Sequence, residues 1–144
     1  MEKNENIELL NFVYQNSQMG VNTINQLLGI IEGEDFKRHM EAQLEEYRKI
    51  NTAAKAMLNK FGTDEKGLNA YEKVRTYLMI DMQTLTDKTP SHIAEMMIIG
   101  STMGVVKSIR DVHKCDDADE NVIGLMQKLC DIEEENITQL KKFL

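Results

Sequence analysis

Apolar positions along this chain recur at steps of three and four residues, the period of a helix with one buried face. Leu10, Val13, Tyr14, Val21, Ile24, Leu28 and Ile31 draw the first stripe, from Ile7 to Ile31, before Gly33 breaks it. Phe36, Met40, Leu44, Tyr47, Ile50, Ala54, Leu58 and Phe61 draw the second, which stops at Gly62, the residue type that most readily ends a helix in a left-handed turn. Few residues separate the two stripes, so they predict an antiparallel helical hairpin. A shorter helix is expected through Leu68, Val74, Leu78, Met82 and Leu85, with Thr63 as its cap and its end near Asp87. Thr89-Pro90, a cap followed by proline at the first helical position, opens the next helix, which should run to about His113. Asp116 and Asp117 offer caps for the last one, with Val122, Leu125, Met126, Leu129, Ile132, Ile137, Leu140 and Phe143 on its buried side.

One echo relates the two halves. "SQMGV" begins at Ser17 and "STMGV" at Ser101, 84 residues later, and both fall in the middle of the first helix of a hairpin. Leu9, Phe12 and Val13 are answered at the same offset by Ile93, Met96 and Met97. The expected organisation is a single all-α domain over residues 1–144, with a hairpin at 7–61, a crossover at 62–89 and a hairpin at 90–143. The crossover is long enough to travel the length of the bundle and start the second hairpin at the same end as the first. Two antiparallel hairpins joined by a long crossover that contains a short helix is the ferritin-like arrangement of a helical bundle.

Composition narrows the classes. The chain is 42% hydrophobic and 28% charged, which places it among globular proteins, and one proline with ten methionines suits helices throughout. A net charge of -7 disfavours nucleic acid and anionic membrane surfaces as partners. Gly100 and Gly104 match G-x-x-x-G, but the apolar run around them falls short of the roughly 20 residues a membrane span needs. Cys115 and Cys130 form no C-x-x-C and no disulfide framework, and with the opening MEKNENIE showing no signal peptide the expected location is cytoplasmic.

The stretches "LLNFVYQNSQMG" (Leu9 to Gly20), "SHIAEMMIIGSTMGVV" (Ser91 to Val106) and "EEENITQLKKFL" (Glu133 to Leu144) give the chain a resemblance to the ferritin-like superfamily, and within it to small clostridial and bacillary proteins. The resemblance spans both hairpins and implies the fold. In the metal-binding branch, a carboxylate from each of two helices and a Glu-x-x-His from each of two others hold two iron or manganese ions. No Glu-x-x-His occurs here; the nearest patterns are Gln43-x-x-Glu46, Glu133-x-x-Asn136 and the reversed His92-x-x-Glu95.

Position in the bundle suggests a middle layer of Met19, Gly20, Tyr47, Thr102, Met103, Gly104 and Cys130, apolar and small rather than a cage of carboxylates. Gly20 and Gly104 each cost about 1 kcal/mol of helix propensity relative to alanine, so something should offset them. Close approach of their two helices is one candidate, and a small ligand in a core layer of Gly20, Met103 and Gly104 is the other. Glu133, Glu134 and Glu135 span so much of the helical wheel that at least one must face inward, with Gln15, Gln18 and Gln43 as the polar company available. No phosphate loop or nucleophile elbow is present, and enzyme is the minority reading, with no catalytic residue assigned.

The sequence thus reads as a binding or structural module without an intact di-metal centre and without a cofactor. It is expected to self-associate, as a dimer, through apolar positions on the second and last helices. The alternatives are a divergent iron- or manganese-binding protein using Glu46, His92, Glu95 and Glu134, and a carrier of a small ligand in the bundle core.

Overall fold

The computed structural model describes residues 2–63 and 85–144, which form four long helices: α1 (Glu2–Leu28), α2 (Glu34–Lys60), α3 (Pro90–Lys114) and α4 (Glu120–Leu140), the last extended by a 3-10 turn, Lys141–Phe143. The expected crossover helix through Leu68 to Leu85 lies outside the described residues as far as position 84, and its expected end near Asp87 is not found, since residues 85–89 are not helical.

Local chemistry sets the ends. α1 stops at Leu28, three residues before its apolar stripe does; Gly29 opens the turn, while Ile30 and Ile31 both donate backbone N–H groups to the Leu27 carbonyl and still pack against the core. Gly33 precedes α2 at φ +92°, a conformation that favours glycine. At the other end of α2, Gly62 at φ +77° donates its N–H to Asn59, and Thr63 donates to Leu58, the paired bonds of a Schellman motif. Thr89 caps α3 by accepting from the His92 N–H at 3.3 Å, with Pro90 at the first helical position. The cap position of α4 is Asp119, not the expected Asp116 or Asp117; its N–H donates to Asn6 Oδ1 at 2.7 Å.

That last bond places the start of α4 beside the start of α1. Phe36 and Phe143 meet edge to face at 4.8 Å between centroids, which places the start of α2 beside the end of α4. The second hairpin therefore begins at the opposite end from the first, correcting the expected arrangement. The chain thus leaves the first hairpin at one end of the bundle, at the end of α2, and enters the second at the other, at the start of α3.

The core is continuous through all four helices, with Leu9, Leu10, Phe36, Met40, Tyr47, Ile50, Met97, Met126 and Leu129 buried. Each such side chain contributes about 1.5–3 kcal/mol relative to exposure. The stripes of α2 and α4 are consumed inside this core, so they do not supply the expected surface for self-association. Among the described residues, the large apolar side chains left exposed on a helix are Ile99, Met103, Val106 and Ile109, all on α3.

Candidate functional site

Gly20 and Gly104 are buried at matching places in the two hairpins, and each makes room for one inward side chain from its own hairpin partner. A Cβ built on Gly20 would stand 2.8 Å from the Tyr47 ring, and one on Gly104 would stand 2.7 Å from Glu133 Oε2. These distances forbid anything larger than glycine unless the neighbour moves. The offset for the two glycines is thus neither the close approach of their helices nor space for a ligand. One half of the bundle centre is filled by a phenol ring, the other by a carboxyl group.

Glu133 is the inward member of the acidic triplet, 1% exposed, while Glu134 and Glu135 face out. Asn16 Nδ2 donates to Glu133 Oε1 at 2.6 Å, and Oε2 has no hydrogen-bond partner among the described residues. Burial pushes the carboxyl up to about 8, opposed by the hydrogen bond from the Asn16 amide. Tyr47 is wholly buried; Ser101 and Asn136 face its hydroxyl without reaching hydrogen-bond geometry. Its pKa lies well above the ordinary value, through burial first and the proximity of Glu133 second. Burial and the neighbouring Glu134 likewise push the Cys130 thiol up to about 12, so it is an inert core thiol rather than a nucleophile.

The sequence places several site residues differently from the fold. Met103 and Thr102 stand on the outer face of α3, Met103 half-exposed, so Met103 does not join Gly20 and Gly104 in the core layer. Ser101 takes the inward position, buried like its counterpart Ser17. The helix is turned by one residue from the expected setting because Met97, Gly104 and Ser108 share the buried face with Ser101 rather than with Thr102. Asn16, which donates to Glu133, escaped the sequence reading, although it lies four residues before Gly20 and so on the same face. Gln43 is buried as expected, but its amide pairs with His39 at 2.6 Å instead of with the acidic triplet. Its Oε1 has no partner, and neither does Asn136 Nδ2 across the groove between α2 and α4.

The alternative metal ligands do not converge. Glu46 is exposed enough to pair with Lys49 at 3.7 Å, Glu95 and Glu134 face outward, and His92 sits at the start of α3. Among the described residues no three His, Cys, Asp or Glu side chains approach closely enough to hold a metal ion. Among the described residues the centre offers one carboxyl group with carboxamides, a serine and a phenol. Two divalent ions would need several charged oxygens or imidazoles, and no described carboxylate stands beside the orphaned Glu133 Oε2 to share a metal. The described donor set does not fit a di-metal centre.

No protein-family profile matches the sequence, and no curated protein matches it significantly. Among solved structures, the chain is similar to the bacterioferritin-related protein from Bacteroides fragilis, described as a dodecameric thioferritin, with a TM-score of 0.82 at 12% sequence identity. The likeness covers 99% of this chain and 86% of that one. At that identity the likeness speaks to architecture and not to chemistry. Together with the two hairpins, their opposed starts and the all-helical composition, it shows that this chain has the fold of a ferritin-like four-helix bundle.

Proposed function

We propose that this protein is a helical-bundle binding or structural module that works without a metal centre and associates with copies of itself, as a dimer, in the cytoplasm. The observation that carries the reading is the content of the bundle centre: among the described residues Glu133 is the one carboxyl there, buried against Gly104, and the Tyr47 ring occupies the equivalent place against Gly20. Burial pushes that carboxyl up to about 8, and among the described residues it meets the Asn16 amide rather than a second carboxylate that could share a metal. The likeness to a protein described as dodecameric supports a homo-oligomeric habit. No described helix is long and apolar enough to cross a membrane.

The test is linkage. A metal bound by the folded state at a hundred times its dissociation constant stabilises it by about 2.7 kcal/mol. Manganese, ferrous iron and zinc, each added to chelator-treated protein, should therefore leave the melting temperature unmoved. A saturable rise with iron or manganese that disappears in Glu133→Gln would replace this reading with that of a divergent metalloprotein.

A second reading, a carrier of a small polar ligand, draws on the buried Gln43 Oε1, Tyr47 hydroxyl and Asn136 Nδ2, three polar atoms without hydrogen-bond partners where α2 meets α4. It predicts that Asn136→Leu abolishes retention of a copurifying small molecule detectable by mass spectrometry. Protein that carries none when wild type rules it out.

A further inference from the structure

α3 is apolar on two opposite faces. One face enters the core through Met97, Gly104 and Ser108. The other holds Ile99, Met103, Val106 and Ile109, which are 56%, 50%, 45% and 45% exposed. A contiguous apolar stripe left on the outside of a helix marks an interaction surface. Its seam, Ile99, Thr102, Val106 and Ile109, advances by three, four and three residues, the step of a helix that packs along another helix.

We infer that this face of α3 is the seam for a second copy of the same chain, packed antiparallel across a twofold axis that passes near residue 104. Ile99 and Ile109 are equally distant from that point, and so are Thr102 and Val106. An antiparallel copy therefore sets isoleucine against isoleucine at both ends of the seam and Val106 against Thr102 twice around its middle. This is the self-complementarity that a twofold interface requires. Charge selects the same direction. Exposed Glu95 lies in the amino-terminal half of α3, and exposed Arg110, His113 and Lys114 lie in the carboxyl-terminal half. Antiparallel packing brings Glu95 to His113 and Lys114 of the second copy, whereas parallel packing would stack acid on acid and base on base. A groove of about 470 Å³ runs beside the seam along Met103, Val106, Lys107 and Arg110. The flexible Met103 side chain of the second copy can enter part of it, as methionine does at irregular surfaces.

The seam deepens the proposal of self-association, and its test is separate from that of the metal-free reading: stoichiometric metal in a protein dimeric through α3 would end the latter and leave the former. Sedimentation or light scattering of the full chain should give a multiple of 16.5 kDa that splits at this seam. Val106→Glu should weaken the dimer by roughly thirtyfold or more, because a charge at the centre of the seam would be buried without a partner. Its melting temperature, measured where the wild type is diluted to monomer, should match the wild type, since the position is open to solvent in one chain. Glu95→Lys and His113→Glu should each weaken the dimer, and the double variant, which restores opposite charges across the seam, should recover it. A monomeric wild type overturns the inference, and so does an assembly indifferent to Val106→Glu. It is overturned equally by a double variant that fails to recover, or by Val106→Glu destabilising the isolated chain, which would show that the stripe is covered within its own fold.

Discussion

Replacing Glu133 with glutamine is expected to stabilise the protein at neutral pH by about 2–3 kcal/mol, and to remove most of its stability change between mildly acidic and mildly alkaline solution. The folded chain holds the Glu133 proton up to about pH 8, whereas an unfolded chain releases it around the ordinary glutamate value of 4.5. Between these limits the unfolded state binds fewer protons than the native one. Stability is therefore full below the lower limit and falls as pH rises towards the upper one, by about 1.4 kcal/mol per pH unit. Glutamine has the same shape and still accepts from Asn16, but carries no charge that must be neutralised on folding. Denaturant melts of wild type and variant from about pH 5 to about pH 9 check this, with equal slopes required for the comparison. A variant less stable than wild type at neutral pH would mean that Glu133 is ionised in the fold and has a cationic partner.

The second large effect is expected at the glycines. Gly20→Ala should destabilise by about 1–3 kcal/mol in spite of alanine's better helix propensity, since overpacking a well-filled core forces its neighbours off their preferred positions. The contact at 2.8 Å is with the body of the Tyr47 ring, which is anchored near its backbone and has little room to retreat. Gly104→Ala meets a carboxyl oxygen at 2.7 Å, the far end of a longer side chain, and should cost less. Shortening the opposing residue separates the two terms. In a Glu133→Ala background, Gly104→Ala should become stabilising by about 1 kcal/mol, because only the propensity gain is left. A double-mutant cycle without coupling would show that Gly104 and Glu133 do not share that space.

The helices were legible because their signals are local and repeated. The stripe from Phe36 to Phe61 with Gly62 behind it, and Thr89-Pro90 ahead of α3, announce themselves within one or two turns. The echo of Ser17 to Val21 in Ser101 to Val105 located two buried serines and two buried glycines in equivalent helices. The contents of the centre were only partly legible. That one of Glu133, Glu134 and Glu135 must face inward follows from the helical wheel, but which one depends on how α4 is turned against α1, a tertiary choice. Asn16 was hidden for the same reason, since nothing in the sequence marks it from Gln15 and Gln18 on either side. Met103 was misplaced because an apolar residue next to a buried glycine looks like core, and the sequence does not say that α3 carries apolar residues on its outer face as well. The direction of the second hairpin follows from chain geometry alone once the crossover is taken to traverse the bundle.

We propose that Glu133 holds a proton, and no metal, at the middle of this ferritin-like bundle. This is tested most directly by elemental analysis of protein purified without chelator and without a metal-affinity step, on a sample whose concentration is fixed by amino-acid analysis. Iron, manganese and zinc should be found far below one equivalent per chain, the same for wild type and Glu133→Gln. One or two equivalents of iron or manganese in the wild type, lost in the variant, would contradict it.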